Sequence, residues 1–193
     1  IKDASLWILP AHQGFLPKAR LLMDLKAFLE PLKKVPKAPT STELATAIRE
    51  KQLFLVYQPK QNLQQGTITG VEALVRWQDP ERGVLYPDAF IPLAEQSDLI
   101  VPLTWYVIEH ALAQQAEWQS QGLHLNIAIN VPAAFVKAEG VLEAFDQLIQ
   151  QSGISLTTIT LELTETVGIE CLSYANHVLN ALRQQGCQVA LDD

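Results

Sequence analysis

The pattern of apolar residues divides the chain into a short first segment, a polar linker and a longer stretch of alternating elements. In residues 19–32, leucine and phenylalanine recur at the spacing of one amphipathic helix, and residues 6–9 (LWIL) could form a short buried strand before it. Residues 33–42 are polar, basic and proline-containing, which predicts a linker. Residues 1–32 are too few for a domain, so we expect them to be the end of a preceding module.

After the linker, the pattern predicts a short helix and then two strands. Residues 42–51 favour a helix with Ser41 or Thr42 as its N-cap. Residues 53–57 and 68–77 have the pattern of strands, and only about ten residues with a glycine turn separate them. A parallel crossover needs a dozen or more residues, so this pair should form an antiparallel hairpin.

The rest of the sequence alternates between helical and strand patterns. That order implies parallel βαβ units joined by right-handed crossovers, and therefore an α/β fold. We predict strands at residues 123–131, 158–164 and 187–191, and helices at residues 88–121 (interrupted near Ser97 and Asp98, and ended by Gly122), 141–152 and 172–185.

An acid or an amide lies near the C-terminal end of each strand in this alternating region. Side chains alternate across a strand, so residues two apart share a face. By this rule Glu72, Leu74 and Arg76 lie on one face of their strand. The corresponding polar residues of the following strands are Asn130, Glu162 and Asp192.

A face of acids and amides inside a parallel sheet favours a cation site. Parallel sheets are normally apolar on both faces, and burying several polar groups is costly without a compensating partner. A divalent cation would compensate for that cost, and oxygen ligands suit Mg²⁺, Mn²⁺ or Ca²⁺ better than zinc. The candidate ligands are Glu72, Asn130, Glu162 and Asp192.

Each of these residues also has a purely structural interpretation. An acid near a strand end can cap the next helix or lie at a solvated edge. Asn130, followed by Val131 and Pro132, can simply form a turn. Glu72 and Arg76 can form a structural ion pair. The parity and strand position that the four candidate ligands share favour a common site.

Composition narrows the possible functions. The 193 residues are 48% hydrophobic and 18% charged, which allows a sizeable core and excludes disorder along the whole length. A net charge of −7 argues against DNA binding and against a polybasic membrane-surface protein. No apolar run approaches the roughly 20 residues of a membrane span. Two cysteines, Cys171 and Cys187, without metal-binding spacing favour a reducing, cytoplasmic setting.

Several motifs together resemble the EAL domain family, the cyclic di-GMP phosphodiesterases of bacterial signalling. The triplet that names the family, Glu72-Ala73-Leu74, lies within residues 70–77 (GVEALVRW). A triplet alone occurs by chance, but further blocks follow in the family's order and spacing over about residues 43–193. These blocks are YQP at 57–59, PERG at 80–83, PDAFIPLAE at 87–95, Asn130, LELTE at 161–165 and LDD at 191–193.

The resemblance implies a TIM-like (β/α) barrel with an antiparallel first strand, which hydrolyses cyclic di-GMP to linear pGpG with two Mg²⁺ or Mn²⁺ ions. It implies that Gln58 and Arg76 line the substrate groove, Arg76 towards a phosphate, and that Leu74 packs beside the dinucleotide. The implied ligands of the first metal are Glu72, Asn130, Glu162 and Asp192, and Asp193 is an implied ligand of the second. The implied catalytic residues are Glu72, Asp192 and Asp193.

The family barrel is larger than the matching segment. A TIM barrel takes roughly 250 residues, and residues 43–193 fall about three βα units short of that. A lysine and a second-metal glutamate of the family would lie beyond Asp193. We therefore expect an incomplete barrel, the N-terminal part of an EAL domain, in a longer parent that could be a homodimer. We expect this parent to be active provided that it carries the lysine and the glutamate. We do not expect turnover from the 193-residue chain alone.

Two alternatives stay open at this point. The domain could be a catalytically inactive module that binds cyclic di-GMP; such members commonly lose the triplet glutamate or a paired aspartate, and this sequence keeps both. The N-terminal segment could be the tail of a receiver domain, which residues 14–18 (GFLPK) resemble, although Ala19 stands where proline is usual. A linker helix from another sensory module is the alternative for that segment.

Overall fold

The computed structural model describes residues 37–164 and 172–192, and of residues 164, 172–176 and 192 it describes the backbone alone. The predicted N-terminal module therefore lies outside the described residues. From Ala38 onward the described residues belong to one compact unit. Its elements are α1 (Ser41–Arg49), β1 (Leu53–Gln61), β2 (Ile68–Asp79), β3 (Gly83–Leu85), α2 (Pro87–Gln96), α3 (Ile100–Ser120), β4 (Asn126–Val131), α4 (Ala133–Val136), α5 (Val141–Ser152), a 3₁₀ turn (Leu156–Thr158), β5 (Ile159–Thr164), α6 (Leu172–Gln184) and β6 (Gln188–Asp192).

The strands form one mixed sheet in the order β1-β2-β4-β5-β6, and β3 pairs with β2. β1 and β2 are antiparallel, which confirms the hairpin that the short connection predicts. The pairs β2–β4, β4–β5 and β5–β6 are parallel, as the βαβ pattern predicts. The protein thus has a mixed α/β fold with a mainly parallel sheet, and the described strands do not close into a barrel.

The two faces of β2 have different environments. Val71, Val75 and Trp77 are buried and alternate with the half-buried residues Glu72 and Arg76. The buried face belongs to the hydrophobic core that the sheet forms with its helices, where the ring of Trp77 packs edge-on against Phe90. Strand alternation therefore leaves the polar face of β2 free for a site.

Helix α1 begins earlier than the sequence pattern predicts. Its N-cap is Thr40, not Ser41 or Thr42, and these two residues form the first turn although the linker was expected to extend through them. The side chain of Glu43 accepts hydrogen bonds from the Thr40 backbone N–H and hydroxyl, and the Thr40 hydroxyl accepts from the Glu43 N–H. This reciprocal capping box satisfies donors that the first helical turn leaves unpaired.

The hairpin that joins β2 to β3 is held by a buried ion cluster. Asp79, only 3% exposed, accepts hydrogen bonds from the backbone N–H groups of Glu81 and Arg82. The Arg82 guanidinium, also buried, pairs with Asp79 at 2.7 Å and with Glu43 at 3.0 Å. The cluster therefore ties the end of β2 to the start of α1.

Glu43 makes the fold sensitive to acid. Hydrogen bonds from Thr40 and then Arg82 lower the pKa of Glu43 from 4.5 to about 2. Its stabilising contribution is present above pH 4.5 and is lost as the pH falls towards 2.

We expect Glu43→Gln to lower the thermal midpoint at pH 7 and the difference from wild type to shrink between pH 4.5 and 2. Thermal melts across this range test it, with Glu139→Gln, at an exposed position, as the charge-loss control. A constant difference would contradict the prediction.

Gly70 is required where β2 approaches β4. A Cβ atom at this position would lie 2.7 Å from the carbonyl oxygen of Asn126 and 3.1 Å from its Cβ. Because the first contact is with backbone, the strands would have to separate. We expect Gly70→Ala to destabilise the protein by about 1–3 kcal/mol, measured by urea unfolding. An unchanged midpoint would show that the strands separate without cost.

Candidate active site on the polar face of the sheet

Glu72 and Asn130 meet on neighbouring parallel strands. The side-chain amide of Asn130 donates a hydrogen bond of 2.8 Å to Glu72 Oε1. In the β2–β4 register Glu72 lies beside Ala128, so Asn130 is two residues further along the same face. The other end of the Asn130 amide, Oδ1, is buried and has no hydrogen-bond partner among the described residues. A buried acceptor without a partner is uncommon in folded proteins and needs an explanation.

Glu162 continues this polar face on β5. It is the register partner of Asn130 and is 9% exposed. Its Oε1 forms an ion pair with the ammonium of Lys60, which extends from β1. The sequence patterns did not single out Lys60, although it shares a strand face with Gln58, two residues earlier. That parity with a candidate substrate residue is the signal that could have identified it.

The two paired aspartates are described only in part. The backbone of Asp192 lies on β6 opposite Thr164, two residues beyond the partner of Glu162, Ala190. The side chain of Asp192 and all of Asp193 lie outside the described residues. Within the described ranges, no group of three or more His, Cys, Asp or Glu side chains gathers in a metal-binding geometry. The assignment of all five residues as metal ligands remains a prediction.

The described residues fit a hard divalent cation in their chemistry. Glu72 and Glu162 supply carboxylate oxygens, and the Asn130 Oδ1 atom is a buried oxygen acceptor that no described donor satisfies. Mg²⁺ and Mn²⁺ prefer such oxygen ligands. Two of the three structural alternatives do not describe the site: Asn130 lies within β4, not in a turn, and Glu72 and Arg76, both among the described residues, form no ion pair with each other.

Arg76 lies further along the polar face of β2. It donates a hydrogen bond of 2.8 Å to the carbonyl of Val75, and its guanidinium lies 4.8 Å from the centre of the Tyr86 ring. Tyr86 is 60% exposed and immediately precedes α2, and the sequence patterns did not identify it. A guanidinium stacked on a ring keeps its remaining donors available for an anion.

A cavity of about 450 Å³ lies where strands β2 and β4 meet helices α2 and α3, and it reaches Asn130. Leu74 and Asn130 line it, together with residues of α2 and α3 such as Ile91 and Leu103. This volume is in the range of small-molecule sites, which run from roughly 300 to 1,000 Å³. Gln58 is exposed on β1 and is the register partner of Glu72. The structure thus places Gln58, Leu74 and Glu72 around one region of the sheet.

Comparison with known proteins identifies the family to which this chain belongs. The family model described as "EAL domain" matches residues 41–193. The chain belongs to the EAL domain family. The EAL domain is 42% identical over 153 residues to the cyclic di-GMP phosphodiesterase PA2567 of Pseudomonas aeruginosa, and 40% identical over 152 residues to the cyclic di-GMP phosphodiesterase PdeR of Escherichia coli. Each match covers 79% of this chain, but the chain spans only 26% and 23% of these relatives' lengths.

Solved structures agree with this assignment. The EAL domain is similar to the PaMucR phosphodiesterase in complex with c-di-GMP, with a TM-score of 0.74 and 31% identity over 79% of this chain and 62% of that one. It is also similar to the EAL enzyme Bd1971 in its form bound to cAMP and cyclic di-GMP, with a TM-score of 0.73 and 25% identity over 90% and 48% of the two chains. EAL domains are TIM-barrel-like, and the described strands form an unclosed sheet, in agreement with the incomplete barrel that the sequence predicts.

Proposed function

We propose that this domain takes part in the metal-dependent hydrolysis of cyclic di-GMP to linear pGpG. The observation that supports this most directly is the buried Asn130 Oδ1 without a described partner, next to the carboxylates of Glu72 and Glu162. The named activity of the two curated relatives supports the same substrate. Since the chain spans about a quarter of those relatives, the activity is proposed for the whole protein that contains it.

In this proposal the acids and the amide hold Mg²⁺ or Mn²⁺. Bound there, such cations would lower the charge on the phosphodiester and activate a water for its hydrolysis. Asn130 positions Glu72 through their hydrogen bond, and its buried Oδ1 would be available as a ligand. The proposed ligands of the first ion are Glu72, Asn130, Glu162 and Asp192, and Asp193 is the proposed ligand of the second.

The proposed substrate residues share the strand face of Glu72. Leu74 is one of the residues that line the 450 Å³ cavity and would pack beside the dinucleotide. Arg76, held against Tyr86, would contact a phosphate, because its planar guanidinium is suited to bidentate phosphate binding. Gln58, the register partner of Glu72, would line the groove from β1.

Turnover of cyclic di-GMP by the purified full-length protein tests this function. Nucleotides are separated by HPLC after incubation with MgCl₂, with MnCl₂ or with EDTA. We expect linear pGpG with either metal and none with EDTA. Binding of cyclic di-GMP without product would favour the alternative, a catalytically inactive regulatory module. The 193-residue chain alone, assayed in parallel, is expected to give no product.

We also propose a cytoplasmic location. Cys187 is a buried free thiol, and burial raises its pKa to about 11, which keeps the sulfur protonated and unreactive. Two cysteines are also too few for a disulfide framework, which is consistent with a reducing compartment, where disulfides are rare. None of the described helices is long and apolar enough to cross a bilayer.

A further inference from the structure

The ion pair between Lys60 and Glu162 joins strands that are not neighbours. Lys60 lies on β1 and Glu162 on β5, and β2 and β4 separate these strands in the sheet. The register partner of Lys60 is Gly70, so no side chain at that level of β2 stands between the lysine and the far strands. The Lys60 side chain is 41% exposed, whereas that of Glu162 is 11% exposed. The lysine side chain thus extends from a more solvent-exposed position to reach a largely buried carboxylate.

The ion pair between Lys60 and Glu162 offsets the free-energy cost of burying a carboxylate. A largely buried carboxylate is costly unless it is paired, and Lys60 is the only cation that the described residues bring to Glu162. A divalent cation at Glu72, Asn130 and Glu162 would use the same carboxylate of Glu162. Two cations at one buried carboxylate repel each other in a medium of low dielectric constant.

We propose that Lys60 is a built-in competitor for the divalent cation at Glu162, and so sets the metal concentration at which the site fills. This inference rests on the proposed metal-dependent function. Lys60 neutralises Glu162 and holds it on the polar face, and a divalent cation that binds this carboxylate competes with the ammonium for it. Lys60 is therefore a positioning residue that keeps the site folded and lowers its affinity for metal.

Mn²⁺ binding to the full-length protein tests this role without any assay of turnover. Isothermal titration with MnCl₂ is compared between wild type, Lys60→Met and Lys60→Arg. We expect Lys60→Met to bind Mn²⁺ about tenfold more tightly, because it removes both the competing ion pair and the like charge. Lys60→Arg keeps the charge and should bind Mn²⁺ as wild type does. Lys137→Met, at the exposed C-cap position of α4, is the matched control for loss of one lysine.

Thermal unfolding supplies a second readout. Without Mn²⁺, Lys60→Met should melt at a lower temperature than wild type, because Glu162 loses its partner. Saturating Mn²⁺ should raise the midpoint of Lys60→Met by more than it raises that of wild type. If Lys60→Met is unfolded without metal, refolding on addition of Mn²⁺, followed by circular dichroism, supports the competitor role. A variant that stays unfolded at Mn²⁺ concentrations that saturate wild type overturns it.

The outcomes separate this inference from the proposed function. Glu162→Gln should lose most of the Mn²⁺ affinity, which assigns the titration to this site. If neither wild type nor Lys60→Met binds Mn²⁺, the metal-dependent function is wrong and the competitor role fails with it. If wild type binds Mn²⁺ and Lys60→Met binds equally or more weakly, only the competitor role is wrong.

Discussion

Replacing Glu72 with glutamine should reduce turnover of cyclic di-GMP by the full-length protein roughly a thousandfold or more, the scale seen when charge stabilisation is lost. The change keeps the shape of the side chain, and its remaining oxygen can still accept the hydrogen bond from Asn130. The structure around the site should therefore persist while one of its negative charges is removed. Initial rates at saturating MgCl₂, measured by HPLC, give the comparison.

Two further variants make the Glu72 result specific. Glu72→Asp keeps the charge but shortens the side chain, so it should retain more activity than the glutamine variant. Glu109→Gln removes an exposed carboxylate from α3 and should leave the rate unchanged. Mn²⁺ affinity should fall together with activity in Glu72→Gln, because an oxygen site loses charge that the cation needs. Activity close to wild type in Glu72→Gln would remove Glu72 from the proposed chemistry.

The polar face of the sheet could be predicted because strand geometry is simple. Side chains alternate along a strand, so parity alone indicated that Glu72 and Arg76 face away from the core residue Trp77. The antiparallel pairing of β1 with β2 followed from the length of their connection, since about ten residues are too few for a parallel crossover. Neither inference needs tertiary information, and the pairing of the strands confirms both.

Element ends and short elements were less predictable. β1 continues through Pro59 to Gln61, beyond its expected end at Tyr57, because a strand that pairs with only one of the described strands tolerates a residue without an N–H. β3, α4 and the 3₁₀ turn have only three or four residues each, which is too short for any period to show. The cap at Thr40 did have a sequence signal, the threonine-to-glutamate spacing of a capping box with Glu43.

The contacts that define the site chemically were not predictable from pattern. Lys60 and Glu162 are 102 positions apart, and a lone lysine in a strand is ordinarily a solvent-exposed residue. The meeting of Glu72 with Asn130 depends on the register of β2 and β4, which places Glu72 opposite Ala128. Register and side-chain reach are tertiary properties, so parity could identify the face but not the partners on it.

Replacing Asp79 with alanine should lower the thermal midpoint by roughly 10 °C. The substitution leaves the buried guanidinium of Arg82 without its closest carboxylate at 2.7 Å. It also removes the acceptor for the backbone N–H groups of Glu81 and Arg82. Groups that stay buried after losing their partners account for the size of the effect, because water cannot replace the lost hydrogen bonds. Differential scanning calorimetry at pH 7 measures the change.

The asparagine variant divides this effect into its two physical parts. Asp79→Asn keeps an oxygen for the two N–H donors but removes the charge that faces Arg82, so its midpoint should lie between those of wild type and Asp79→Ala. Because Arg82 also contacts Glu43, loss of the cluster should loosen the start of α1 as well as the β2–β3 hairpin. Hydrogen exchange at the amides of both segments should therefore rise together. Faster exchange in the hairpin alone would show that Glu43 and its cap hold α1 independently of Asp79.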